Sequence, residues 1–390
     1  MKKLLFISEL GNKVSYSYVT LSLKKIIEEN YDVYYFCIRN INDKKLIIEN
    51  NYNMNKVYFI DKNLQINTNL KNKFLDDYYE DWSDGLIQLE CLIKNINPNI
   101  IMSFGDLQLV SKHGKLINNL KFFNGYFVPY ITLDCYNCHY KMLNYNFDLM
   151  FTVSEFSKKQ VSKYINNTNI HSLPHYLNEK EYFKLNLSKN EKNNLKRKIL
   201  GNEYNNYFIL GTINCNSFRK KIDICIESFC NFASKNNNTL LVIKSQLINK
   251  NIENPIYGGY NINSLIKDFC SKYQVNKDRI IVIDDFYDSK KLNELYNIFD
   301  VFITTTSGEG WGLTNIEAAL CQLPIIMPNI TSMTEIFGNN YDGYFNTQPY
   351  TISFCRNPNY LDINSNSLKN LYYSLSINYK YYEKIDILFL

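Results

Sequence analysis

Apolar residues along this chain come in short, nearly continuous runs, separated by stretches in which they recur every three or four positions. Leu4–Ile7 is one such run. Val19, Leu23, Ile26 and Ile27 then fall at helical spacing, and Asp32–Ile38 (DVYYFCI) is again strand-like. Strand, loop, helix and strand in that order predict parallel strands joined by crossover helices. The alternation continues through GLIQLECLIKNI (helix), the breaker Asn97-Pro98-Asn99, NIIMSFGD (strand and loop) and GYFVPYITLD (strand). In FDLMFTVSEFSKKQV a strand ends at Val153, and Ser154 stands where it can cap the helix that follows.

The period lapses over His171–Leu185, a segment with a proline and mixed charge, and then restarts. A polar helix candidate, SKNEKNNLKRKIL, leads into YFILGTI, TLLVIKS, RIIVIDD, DVFITT and LPIIMP as strands. Between them lie IDICIESFCNFA, INSLIKDFCSKY, KKLNELYNIF and IEAALC as helices. The expected organisation is α/β, with two Rossmann-like, doubly wound parallel-sheet domains: residues 1–173, a linker at 174–186, residues 187–365, and a helical tail at 366–390. Ligands of open parallel sheets sit at the carboxyl ends of strands, and two such domains are expected to turn those ends toward one cleft. No period of 20–50 residues marks a solenoid.

Composition narrows the function classes. Lys and Arg total 43 against 38 Asp and Glu, a formal charge of +5 over 390 residues, too weak a surplus to imply nucleic acid. Ten scattered cysteines in a chain of this length read as reduced thiols and not as staples. The opening MKKLLFISELGNK has too short an apolar stretch for a signal peptide, and no long apolar run marks a membrane span. A cytoplasmic protein is expected, with peripheral membrane contact left open. The 33 tyrosines are spread throughout and carry no function by themselves.

The chemistry concentrates in Thr304–Pro328, TTTSGEGWGLTNIEAALCQLPIIMP. An apolar strand runs into Gly308, Glu309, Gly310, Trp311 and Gly312, and Thr314 precedes a helix. Glycines let backbone amides approach a ligand, and a helix N-terminus adds a positive dipole, so the turn suits a diphosphate. Carboxylates repel phosphate. Glu309 and Glu317, flanking such a turn, therefore suit hydroxyls beside it, and sugar hydroxyls are the obvious ones. Thr314-Asn315-Ile316-Glu317 also has capping-box spacing, as has Ser332 with Glu335, so each glutamate has a purely structural alternative. Basic residues that could meet leaving-group charge, Arg219, Lys220 and Lys221, follow the strand FILGTI.

Glu309 and Glu317 form an E-x(7)-E signature in the context SGEGWGLTNIEA, which resembles that of the large retaining nucleotide-sugar glycosyltransferase family with the GT-B fold (glycosyl transferases group 1, family 4-like). Val153–Lys159, the segment at 208–223, Leu292–Asp300 and Ser332–Gly338 match further pieces in order. The resemblance implies that Glu309 contacts the donor sugar, that Gly310, Trp311, Gly312, Leu313 and Thr314 present backbone to the diphosphate, and that Glu317 binds the nucleotide ribose. Similarity to the family's Arg…Lys-Gly segment points to Lys220 as the diphosphate lysine with Arg219 beside it. The family's arginine commonly lies several residues earlier, where this chain has Cys215 and its neighbours. Gly11 matches a phosphate-proximal loop. On the acceptor side stand Asp106, Asp134, where many relatives carry a histidine, and His139, each of them also readable as ordinary strand-end or turn chemistry. Phe286 and Tyr287 could flank the base.

What the resemblance implies is transfer of a sugar from a nucleotide-diphosphate sugar to a hydroxyl of a glycan, protein or lipid, with retention and with neither cofactor nor metal. A nucleotide-sugar epimerase and a non-catalytic sugar-nucleotide-binding protein share the fold and stay open as alternatives. Cys135–His139 has the spacing of a haem attachment motif, but that chemistry belongs to an export context the chain lacks. Asp284-Asp285 reads as an acidic strand end and not as a metal pair. Relatives usually end in a helix bracing the first domain, and here the last elements are short and aromatic-rich.

Overall fold

The computed structural model describes residues 1–10, 15–38, 50–60, 80–136, 143–166, 168–177, 179–201, 204–248, 258–348 and 380–381. These fall into two units that divide between Tyr176 and Leu177. In the first unit, strands β1 (Lys3–Ser8), β2 (Asp32–Cys37), β3 (Val57–Phe59), β4 (Ile100–Asp106), β5 (Tyr126–Thr132), β6 (Met150–Thr152) and β7 (Ile170–Ser172) form one sheet, ordered β3-β2-β1-β4-β5-β6-β7. Every pairing in it is parallel. Its helices are α1 (Ser15–Asn30), α2 (Glu80–Ile96), α3 (Leu107–Asn119) and α4 (Glu155–Val161). Ser154 caps α4 as its position suggests, its hydroxyl accepting from the Ser157 amide at 3.1 Å.

Helix α3 was not legible in the apolar spacing, for a physical reason. Its buried face carries Lys112, His113 and Gly114 among Val110, Leu116 and Ile117, which breaks the stripe. His113 is held by a 2.8 Å contact between its Nδ1 and Ser103 Oγ, and burial pushes its pKa down to about 3, so it packs as a neutral ring.

The second unit repeats the plan. Strands β8 (Phe208–Ile213), β9 (Thr239–Lys244), β10 (Ile280–Ile283), β11 (Val301–Ile303), β12 (Ile325–Pro328) and β13 (Tyr344–Phe345) are ordered β10-β9-β8-β11-β12-β13, again parallel. Its helices are α5 (Lys189–Leu200), α6 (Ile222–Ala233), α7 (Ile262–Tyr273), α8 (Ser289–Ile298), α9 (Leu313–Leu320) and α10 (Met333–Phe337). Continuous apolar strands arise because both faces of the sheet are covered. Leu210, Leu241, Ile243, Val301 and Ile303 pack under α6 and α7. The alternate residues Ile209, Leu240, Val242 and Phe302 pack on the other face with α8 and α9. Gly211 belongs to that second face, where an added Cβ would lie 2.1 Å from the Phe299 ring.

The segment read as a linker is partly structured. The Phe183 and Leu185 amides donate to the side-chain oxygens of the buried Asn293 and Asn297 on α8, at 2.9 and 2.8 Å, and Asn297 Nδ2 donates back to the Phe183 carbonyl. Those asparagines satisfy a chain with no strand of its own to join. Of the expected tail, Lys380–Tyr381 pairs antiparallel with Thr347–Gln348, and the rest lies outside the described residues. Among the described residues no helix is long and apolar enough to cross a membrane.

Candidate active site

In the second sheet the strand order reverses between β8 and β11, the topological position at which open parallel sheets hold their ligands. The loop after β8 carries Arg219 and Lys220 on a short 3-10 turn, Phe218–Lys220. The loop after β11 is Thr304–Gly312. Hydroxyls lock them together: the Thr305 hydroxyl donates to the carbonyl of Lys221 at 2.7 Å, and the Ser307 amide and hydroxyl both donate to the Arg219 carbonyl at 2.8 and 3.0 Å. Thr304 to Ser307 are all buried, so this run of small polar residues is a packed joint. Lys221, where the resembled segment has glycine, takes the left-handed conformation at φ 51°. The Thr305 bond to its carbonyl helps hold that turn.

The joint brings the three residues with expected catalytic roles into direct contact. Lys220 Nζ lies 2.5 Å from Glu309 Oε1, and Arg219 Nη1 lies 3.1 Å from the same oxygen. Arg219 also donates to the Gly308 carbonyl. Burial would raise the Glu309 carboxyl, but the two cations together with hydrogen bonds from Lys220 and Thr306 outweigh it and pull the pKa down to about 2. Glu309 is thus a fixed anion, and the cations are held beside the glycine turn.

The backbone of Glu309 is gripped from a third loop: its amide donates to Thr331 Oγ1 at 3.1 Å, and Ser332 Oγ donates to its carbonyl at 2.9 Å. Ser332 precedes α10 but makes no side-chain cap, so the Ser332–Glu335 capping box is not formed. Thr331, which the sequence did not single out, and Ser332, which it offered as the cap of a box with Glu335 and as the start of a family-matching segment, support the site through the Glu309 backbone. A hydroxyl pair ahead of a short helix looks like an ordinary cap.

Gly310 and Trp311 are half-buried and lead to Gly312, the N-cap of α9, at φ 80°. A Cβ at Gly312 would stand 3.0 Å from Asn315 Nδ2, so both conformation and space call for glycine. Leu313 and Thr314 form the first turn, whose amides have no intrahelical acceptor. The Thr314–Glu317 capping box is absent too. Glu317 instead accepts from the hydroxyl of Tyr296 at 2.6 Å, and burial, the dominant influence, pushes its pKa up to about 7. Asn315, buried beside it, donates to Met333 Sδ at 3.0 Å and leaves its Oδ1 without a hydrogen-bond partner. Tyr287 lies under two lysines, Lys244 and Lys291, at 5.6 and 5.7 Å, and Phe286 is exposed.

In the first unit the strand order reverses between β1 and β4. Asp106, at the end of β4, occupies the N-cap position of α3 but makes no cap bond. Its carboxylate instead accepts from the hydroxyls of Tyr16 and Thr132, and Asp134 lies close enough to act electrostatically on Tyr16. Asp106 is exposed, so this polar cluster reaches the surface. Gly11 and His139 lie outside the described residues, as does Cys138 of the haem-like spacing. Cys230 and Cys270 are buried thiols 3.8 Å apart, and among the described residues no group of three or more His, Cys, Asp or Glu could hold a metal ion.

Two parallel sheets, each with a strand-order reversal beside polar loops, define a two-domain α/β protein of the GT-B architecture. Solved structures share it, among them the following three. A glycosyltransferase from Rickettsia africae is 16% identical, with a TM-score of 0.62 over 89% of this chain and 84% of that one. HepE from Anabaena, solved in complex with UDP, is 12% identical, with a TM-score of 0.64 over 89% and 85%. Sucrose-phosphate synthase from Thermosynechococcus elongatus is 13% identical, with a TM-score of 0.62 over 89% and 86%. No curated protein sequence matches the chain. Residues 191–354, which contain the whole second-unit site, match the family described as Glycosyl transferases group 1. The fold is that of the GT-B proteins, and the second unit carries a segment that matches the glycosyl transferases group 1 family.

Proposed function

We propose that this enzyme transfers a sugar from a nucleotide-diphosphate sugar held by the second unit to an acceptor hydroxyl presented by the first, with retention of anomeric configuration. The observation that carries the reading is the convergence of Lys220 and Arg219 on Glu309 at the edge of the glycine turn, 2.5 and 3.1 Å away. A fixed carboxylate flanked by two cations has a place for a sugar hydroxyl and a place for a diphosphate in one contact. The Anabaena relative's UDP supports a nucleotide ligand for the fold.

In the proposed reaction the diphosphate enters against Lys220, Arg219 and the amides of Gly310 to Thr314. The cations then share their charge between Glu309 and the phosphate oxygens. As the bond from the anomeric carbon to the diphosphate oxygen breaks, the negative charge left on the diphosphate develops where those donors already stand, which lowers the barrier without reorganisation. The acceptor oxygen bonds the anomeric carbon on the face the diphosphate leaves, and the acceptor's proton passes to the departing phosphate. Glu309 holds donor-sugar hydroxyls, Glu317 the ribose. Asp106, with Tyr16 and Thr132 behind it, and Asp134 are the acceptor-side groups. With Lys220 and Arg219 on the leaving group, transfer needs no metal.

Labelled nucleotide sugars incubated with glycan, protein and lipid acceptors, with and without a chelator, test this. Acceptor-dependent release of nucleoside diphosphate that survives chelation is expected. Conversion of the donor with no acceptor present would indicate an epimerase, and Asp106→Ala should lower transfer while leaving donor binding intact.

A further inference from the structure

Glu317 is the meeting point of three pieces of chain that are remote in sequence. It projects from α9. Tyr296, from α8, is fully buried and donates its hydroxyl to Glu317 Oε2 at 2.6 Å. Tyr182, from the segment entering the second unit, gives the same carboxylate a second hydrogen bond, and its ring packs edge-on against Tyr296 at 6.1 Å. That segment is itself fixed by the bonds of Phe183 and Leu185 to Asn293 and Asn297.

A carboxylate in an apolar core is an expensive way to join helices, because well-packed hydrocarbon of the same volume does so without desolvating a charge. Ala318, Leu295 and Phe302, which share a core cluster with Tyr296, are wholly buried, whereas Glu317 keeps 9% of its surface exposed. A carboxylate offers about four acceptor positions, so two phenol donors leave about two for a ligand. A ribose diol brings two hydroxyls.

We infer that Tyr296 and Tyr182 are positioning residues that clamp the Glu317 carboxylate so that its remaining lone pairs meet the ribose diol of the donor, and that they thereby set discrimination between ribo- and deoxyribonucleotides. The inference rests on the proposed ribose role of Glu317. Neither tyrosine touches the nucleotide itself. Each removes freedom from the group that does, in a low-dielectric setting where a fully satisfied network is strong.

The test is calorimetric titration of the full chain with UDP, GDP and ADP, followed by the 2′-deoxy form of the tightest binder. Wild type should prefer the ribonucleotide by about tenfold, the scale of one hydrogen bond to a charged group. Tyr296→Phe and Tyr182→Phe, each deleting one hydroxyl, should erase most of that preference, weakening the ribonucleotide while leaving the deoxy form unchanged. Equal weakening of both nucleotides would mean a merely structural role and overturn the inference. So would wild-type binding by both Phe variants while Glu317→Gln binds ribonucleotide poorly, an outcome that leaves the ribose reading standing. Unchanged ribonucleotide affinity in Glu317→Gln would remove the ribose reading and the inference with it. Should Tyr296→Phe fail to fold, Tyr182→Phe decides alone.

Discussion

Replacing Glu317 with glutamine should make this enzyme more stable at neutral and alkaline pH and no more stable in mild acid. The folded-state pKa is raised from 4.5 to about 7 by burial. A carboxyl raised in this way binds its proton more tightly folded than unfolded. Its neutral form therefore supports the fold below the unfolded pKa, and that support is lost as pH rises through the folded one. At about 1.4 kcal/mol per pKa unit, the ionised side chain costs about 3 kcal/mol above pH 7. Glutamine has the shape of the protonated acid and never ionises. The difference between variant and wild type should be near zero at about pH 4, grow by about 1.4 kcal/mol per pH unit from there, and level off above about pH 7.

Trp311 is one of only two tryptophans, and the other, Trp82, belongs to the first unit, so urea unfolding followed by fluorescence in a Trp82→Phe background reports the second unit alone. The other groups around Glu317 are Tyr296, Tyr182, Glu181 and Cys321. A Glu181→Gln control should keep the wild-type pH dependence. A stability difference for Glu317→Gln that stays flat between about pH 4 and pH 8 would refute the reasoning, because it would mean that Glu317 is not desolvated. Enhanced stability with weakened nucleotide binding in one substitution is what a functional group held at the expense of the fold should show.

Glu309→Gln should abolish transfer, measured by nucleoside diphosphate release, while leaving far-ultraviolet circular dichroism intact. Its pKa is depressed from 4.5 to about 2, so its ion pairs support the fold above pH 4.5 and fade as pH falls toward 2. The same substitution should therefore lower neutral-pH stability by about 3 kcal/mol and have little effect near pH 2. Lys220→Ala should weaken nucleoside diphosphate binding at least about tenfold in calorimetry, since it removes a charge-assisted contact. Unchanged affinity would take Lys220 out of the site. Lys221→Gly should preserve transfer and raise stability by roughly 0.5–1 kcal/mol in urea unfolding, because relief of a left-handed non-glycine residue outweighs the added freedom of the unfolded chain.

The alternation of apolar runs with helical spacing determined by itself that this chain builds parallel sheets between helices. Ile209 and Leu210, or Leu240 and Leu241, are adjacent in sequence yet buried on opposite faces, and only a sheet covered on both sides needs such a pair. The glycine turn and its two glutamates were likewise legible, because backbone freedom at Gly312 and carboxylate chemistry are properties of residue type. What each glutamate touches was decided by tertiary structure. Capping boxes suggested by spacing at Thr314–Glu317 and Ser332–Glu335 gave way to stronger partners across the chain: Tyr296 for Glu317, and the Glu309 backbone for Ser332. The pairing of Lys220 with Glu309, 89 residues apart, and the docking of Tyr182 beside Tyr296 come from which strands lie side by side. Local spacing fixes which residues share an element, whereas the environment that drives one carboxyl below its ordinary pKa and an identical one above it exists only after the strands have been ordered.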